Sequence, residues 1–176
     1  MLTPLVMTLI GPDRTGLVEK VARTVSEHGG NWLESRMCRL GGEFAGILRI
    51  EVPEANKAAL LSALQAIPDL NVIGRPDRKT TPASGTRQTT LEMVGSDRPG
   101  IVREISGALA RARVNVEEFS SEVVSAPMSG ETLFKASARL QLPPNCDLTA
   151  LKKDLEQIAA DLLVDVSFTE ISGPSV

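Results

Sequence analysis

The residues that could do chemistry come as a repeated set. Asp13, Arg14 and Gly16 lie in GPDRTGLV (Gly11–Val18), and Asp97, Arg98 and Gly100 lie in GSDRPGIV (Gly95–Val102), 84 residues on. The same offset pairs Asn31 with Asn115 and Glu34 with Glu118. A free amino acid presents an ammonium and a carboxylate, so a site for it needs acceptors and donors together. Asp13 and Asp97 can accept from an ammonium. Backbone N–H groups at a helix start, near Gly16 and Gly100, can meet an anion. Asn31 and Asn115 offer both donor and acceptor. The same loop also has an architectural reading. In it Asp13 or Asp97 caps a helix, Gly16 or Gly100 permits close approach, and Pro99 fixes φ.

No reaction centre accompanies these loops. His28 is the single histidine. It falls at a predicted helix end, where it favours the C-terminal dipole. Cys38 lies in a predicted strand, where a small buried hydrophobe is the usual role. Cys146 lies in a predicted loop with no histidine near it in sequence. Two cysteines and one histidine cannot make a zinc set between them. The loops lack the Lys-Ser/Thr of a P-loop and do not read G-x-G-x-x-G, which disfavours nucleotide binding. No catalytic residue, metal or cofactor is expected.

The elements that would position the loops also repeat. RIEVP (Arg49–Pro53) matches RLQLP (Arg139–Pro143) at an offset of 90, so six extra residues sit between. They fall around VSAPMSGE (Val124–Glu131), where the first copy has only LGGE (Leu40–Glu43). Matches on both sides of a loop-sized insertion mark a duplicated unit.

Each unit begins with an alternating run, Met7 and Leu9 or Leu91 and Met93, which predicts a strand. The loop follows. Then Leu17, Val18, Val21, Ala22 and Val25, and likewise Ile101, Val102, Ile105, Leu109 and Ala110, recur at helical spacing. Pro99 suits a first helical turn, and HGGN (His28–Asn31) ends the first helix. Two strands follow, joined at Gly41–Gly42 in the first copy. A second helix uses Leu60, Leu61 and Leu64, or Leu148, Leu151, Leu155, Ile158 and Leu162, the latter capped by Asp147. A last strand carries Leu70 and Val72, or Val164, Val166 and Phe168.

The order β-α-β-β-α-β, twice, predicts an α+β protein of two ferredoxin-like domains. Each would be an antiparallel four-stranded sheet with two helices on one face. The predicted boundaries are 1–74 for the first domain, 75–87 for a polar linker and 88–176 for the second domain.

Composition narrows the partners. Aromatic residues are 3% and tyrosine is absent, which leaves little ring surface for stacking bases. The net charge is −3, and only residues 75–87 are basic, at +3 against −1 before and −5 after. A direct DNA reader usually has a basic face. The start MLTPLVMTLIGPDR has no basic stretch before its apolar run, so no signal peptide is expected. No apolar stretch approaches the roughly 20 residues that span a bilayer. A reduced, cytoplasmic protein is the expectation.

The loop D-R-x-G-[LI]-V, with an asparagine at the next strand start, resembles that of ACT domains. A tandem of this length, with MTLIGPDRTGLVEKVARTVSEHGGN near its start, is similar to the glycine cleavage system transcriptional repressor family. The resemblance implies a non-enzymatic, amino-acid-responsive transcriptional regulator that contacts a LysR-type activator of glycine cleavage genes, not DNA. The implied ligand is a small amino acid such as glycine. Its implied contacts are Asp13, Arg14, Gly16 and Asn31 in the first copy, and Asp97, Arg98, Gly100 and Asn115 in the second. A homodimer, a ligand-free scaffold, or a regulatory subunit of an amino-acid metabolic enzyme are the other arrangements this pattern permits. Thr15, where the common pattern has the proline seen at Pro99, is one departure.

Overall fold

The computed structural model describes residues 1–78, 84–126 and 130–170. It divides into two compact units, Met1–Thr80 and Thr81–Val176, each with its own aliphatic core.

Unit one runs β1 (Leu2–Pro12), α1 (Leu17–Glu27), β2 (Asn31–Leu40), β3 (Glu43–Pro53), a 3₁₀ turn (Glu54–Asn56), α2 (Lys57–Gln65) and β4 (Asn71–Pro76). Unit two runs β5 (Arg87–Ser96), α3 (Ile101–Arg111), β6 (Asn115–Ser125), β7 (Thr132–Leu142), α4 (Leu148–Leu162) and β8 (Val164–Glu170). The sheets have the orders β2-β3-β1-β4 and β6-β7-β5-β8, with every pairing antiparallel. This is the ferredoxin-like α+β fold, twice. Arg75 and Pro76, read from sequence as linker, pair with Val6 and Leu5 in β4. Lys79–Pro82 and Ala83 of that segment lie outside the described residues.

Alternation decides the sheet faces. Leu5, Met7 and Leu9 of β1 and Leu48, Ile50 and Val52 of β3 are buried under the helices. Leu91 and Met93, with Ala138, Leu140 and Leu142, do the same in unit two. The helices bury narrower stripes than the sequence spacing predicts. Leu17, Val21 and Val25 are buried in α1, but Val18 and Ala22 are exposed. Ile101, Ile105, Ala108 and Leu109 are buried in α3, while Val102 and Ala110 are exposed. Each exposed residue stands one position, about 100°, past a buried one. That rotation carries it off the buried stripe.

The helices start and stop as follows. Pro99 lies before Gly100, the residue that opens α3, so it shapes the loop and not the first helical turn. Asp147 Oδ1 accepts from the Ala150 N–H at 3.0 Å and caps α4. At the end of α1, the Gly29 and Gly30 N–H groups return to the carbonyls of Ser26 and Val25. His28 Nδ1 lies 2.8 Å from the Thr24 carbonyl oxygen.

The edge strands β2 and β6 carry a bulge at the same place, between Trp32 and Glu34 and between Val116 and Glu118. The bulge resets which side chains face the helices. Cys38 points away from them, opposite Ala45, and is exposed, contrary to the buried role expected from sequence. An edge strand on the uncovered face has nothing to bury it. Cys146 packs against the core of unit two.

Candidate functional site

Each Gly-Asp-Arg-Gly loop is a strand-to-helix corner held by three local devices. The first is close approach. A Cβ on Gly11 would stand 2.5 Å from the Asp69 carbonyl oxygen, and one on Gly95 would stand 2.5 Å from that of Leu163. The second is backbone handedness. Gly16 and Gly100 have φ of +85° and +102°, a region costly for a residue with a Cβ. The third is the arginine. Arg14 Nη2 donates to the Pro68 carbonyl, and Arg98 Nη2 donates to the Asp161 carbonyl. Arg14 thus ties its loop to the turn before β4, and Arg98 ties its loop to the end of α4, where the turn into β8 begins. Asp69 and Leu163, in those turns, themselves have φ of +61° and +53°.

The aspartates do not cap the helices: Gly16 and Gly100 hold the cap position with no side-chain cap bond. Their backbone N–H groups instead extend the sheet, Asp13 to the Gly42 carbonyl at 2.9 Å and Asp97 to that of Thr132 at 3.0 Å. Their side chains differ. Asp13 Oδ2 is 2.6 Å from Arg39 Nε on β2. The matching position on β6 is Val123, and Asp97 has no side-chain partner among the described residues.

In unit one, Asp13, Arg14 and Gly16 line one cavity of about 260 Å³ with Leu17, Val18, Glu19 and Phe44. Asn31 does not line it; its Nδ2 donates to Glu51 Oε1 at 3.2 Å. In unit two, Asp97, Arg98 and Gly100 hold the same places on the corner, and Asn115 opens β6. Arg98 Nε is buried with no hydrogen-bond partner among the described residues. Beside this corner, a cavity of about 250 Å³ lies between α3 and β6. Its lining includes Val102, Ile105, Val116, Phe119 and Ala138. Sequence reading missed this cavity. The available signal was the exchange of Trp32 for Val116 and of Leu48 for Ala138 at matching positions of the repeat.

Among the described residues, no group of three or more His, Cys, Asp or Glu could hold a metal ion. No described helix is long and apolar enough to cross a membrane. One carboxyl is shifted by its surroundings. Glu54 lies below the usual carboxylate range because the Thr3 hydroxyl donates to it at 2.5 Å and the Lys57 ammonium stands nearby.

Comparison with known proteins agrees with the fold. The family model for the ACT domain matches residues 3–69 and again 90–169. No curated protein matches the chain. Among solved structures, an "unknown protein" from Galdieria sulphuraria is 27% identical, with TM-score 0.84, over 97% of this chain and 99% of that one. A structure described as "putative glycine cleavage system transcriptional repressor" is 21% identical, with TM-score 0.71, over 98% and 99%. The second likeness shows the shared fold. With the strand-to-helix corner, the sheet order and the family match recurring in both units, the chain belongs to the ACT domain family and carries that domain twice.

Proposed function

We propose that this chain is a non-enzymatic regulatory protein that responds to a small amino acid and acts through contact with another protein. The observation that carries the reading is that the two ACT units account for nearly the whole chain. The binding residues in this reading are Asp13, Arg14, Gly16 and Asn31, with Asp97, Arg98, Gly100 and Asn115. The aspartates would accept from the ammonium, and the helix starts would face the carboxylate. The structural likeness to a protein described as a "putative glycine cleavage system transcriptional repressor" makes glycine the first ligand to test, and a LysR-type activator is the partner in this reading. In this reading the protein works in the cytoplasm, alone or as a homodimer.

Affinity has a ceiling. Glycine has about five non-hydrogen atoms, and the best tiny ligands reach roughly −1.5 kcal/mol per atom, which sums to about −7.5 kcal/mol. That corresponds to a Kd of a few μM at best. The test is a thermal-shift screen with the common amino acids. At about ten times Kd, binding adds about 1.4 kcal/mol of stability, a shift of a few degrees. A flat result across all amino acids would sink the sensor reading. Capture of a LysR-type regulator by the full chain would support the repressor role; capture of a metabolic enzyme instead would assign a regulatory subunit.

One group of observations favours a second reading, a ligand-free scaffold. Gly11, Gly95 and Arg14 are each accounted for by packing and hydrogen bonds within their own unit, and Arg98 Nη2 likewise donates within unit two. In a scaffold the flat thermal screen would be accompanied by intact partner capture.

A further inference from the structure

An antiparallel sheet with helices on one face usually turns polar residues outward on the other. Unit two follows that rule. Across its uncovered face Ser120, Ser137, Glu92 and Ser167 stand side by side on β6, β7, β5 and β8. Glu122, Lys135, Val94 and Asp165 form the next row. Unit one breaks the rule at the same places. Its rows are Arg36, Ile47, Thr8 and Ile73, then Cys38, Ala45, Ile10 and Asn71. Ile10, Ile47 and Ile73 are 43%, 55% and 60% exposed. Ile47 and Ile73 flank Thr8, and Ile10 stands diagonal to both, within side-chain reach across a sheet. The aliphatic surface is therefore continuous, and a continuous exposed patch of this kind marks an interaction surface. The core of unit one gains nothing from these isoleucines, because they point away from it.

The chemistry of the face selects its occupant. A two-fold contact needs a surface complementary to itself. Sheets that pack face to face keep their strands nearly aligned. With the sheet order β2-β3-β1-β4, a two-fold axis along the strands lays β2 of each copy over β4 of the other, and β3 over β1. Large side chains then meet small ones: Ile47 meets Thr8 of the second copy, and Ile10 meets Ala45. At the rim, exposed Glu34 on β2 is level with Arg49 and Val6, and so with exposed Arg75 on β4. The axis brings Glu34 of each copy to Arg75 of the other, opposite charges at both edges. The same operation on unit two would set Ser137 against Glu92 and bring Glu122 to Asp165, like charges at both edges. Size fits as well. Three strands of unit one run ten or eleven residues. Four strands about 4.8 Å apart and roughly 30 Å long give a face of about 600 Å², the lower end for a specific interface.

We propose that the uncovered sheet face of unit one is the interface of a homodimer and closes on the same face of a second copy. Ile10, Ile47 and Ile73 form its apolar centre, and Glu34 and Arg75 set the orientation of the copies. The proposal stands apart from the amino-acid-responsive reading and needs no ligand.

The test is sedimentation of the full chain from low to high micromolar concentration, where a reversible dimer is expected. Ile47→Ser with Ile73→Ser gives unit one the residues that unit two has, Ser137 and Ser167. This variant should sediment as a monomer with an unchanged circular dichroism spectrum. Arg75→Glu reverses one member of two symmetric rim pairs and should weaken the dimer roughly tenfold. Adding Glu34→Arg should restore it, and this charge pair serves if the serine variant does not fold. A monomer at every concentration overturns the proposal. So does a dimer whose affinity the folded serine variant leaves unchanged. Failure of the second charge reversal to rescue the first overturns the strand-aligned two-fold.

Discussion

The carbonyl oxygen of Asp69 lies where a Cβ on Gly11 would need to be, 2.5 Å from it. Leu163 and Gly95 repeat the relationship at 2.5 Å in unit two. The turn before the last strand therefore presses on the end of the first strand, and only glycine leaves room. The repeated loop is thus first a packing requirement, because both of its contact partners are backbone and cannot swing aside.

Gly11→Ala and Gly95→Ala should each destabilise their unit by about 1–3 kcal/mol, the usual cost of overpacking. Gly107 of α3 gives the contrast, since a Cβ there meets only an Arg111 side-chain atom at 3.6 Å. Gly107→Ala should stabilise by about 1 kcal/mol through helix propensity. Urea unfolding of the three variants checks both signs.

Gly16→Ala and Gly100→Ala test handedness without steric crowding, because nothing lies within 4 Å of either added Cβ. Each should cost about 1–2 kcal/mol for the left-handed conformation. Asparagine at the same positions should recover part of that loss. Thermal denaturation of the alanine and asparagine pairs reads the difference.

Arg14→Met and Arg98→Met remove the donor to the Pro68 and Asp161 carbonyls while keeping much of the apolar stem. A charged donor to a carbonyl contributes about 1.5–3 kcal/mol, less where solvent reaches it. Hydrogen exchange should accelerate first in β4 and β8, the strands that follow the released turns. Faster exchange confined to β2 and β6 would contradict this role.

Asp13→Asn and Asp97→Asn should part company. The first breaks an exposed ion pair with Arg39, worth about 0–1 kcal/mol. The second has no ion pair to break among the described residues and should leave stability unchanged while weakening amino-acid binding. Loss of binding in both variants would place a site in each unit.

Glu54 gives the acid dependence. Its carboxyl is held low in the folded chain by the Thr3 hydroxyl and Lys57. A depressed folded pKa contributes stability above the unfolded value and loses it as pH falls through the folded one. In Thr3→Val the Glu54 carboxyl should titrate at higher pH, followed by carbon NMR of its side chain, and part of the acid dependence should vanish.

The duplication, the β-α-β-β-α-β order and the repeated corner were legible in the sequence, because helix and strand periods are local and the repeat states them twice. The cap at Asp147 was legible for the same reason. The stripe width of α1 and α3 was not. Val18 and Val102 keep helical spacing with the buried residues, yet both are exposed, because each stands about 100° past a buried neighbour. Cys38 faces solvent because a bulge at Trp32–Glu34 sets the register of its strand.

By itself, then, the sequence determined which fold is built and that it is built twice, since apolar period, turn glycines and an offset of 84 are properties of the chain. It also supplied every residue at the two corners. The tertiary structure alone decided what those residues are free to do. Asp13 is committed to Arg39 on another strand, while Val123, at the matching place, offers Asp97 no such partner. Trp32 is packed on the core of its unit, while Val116 and Ala138 leave a cavity. Such differences arise between side chains that are distant in sequence and adjacent in space, so no local pattern carries them.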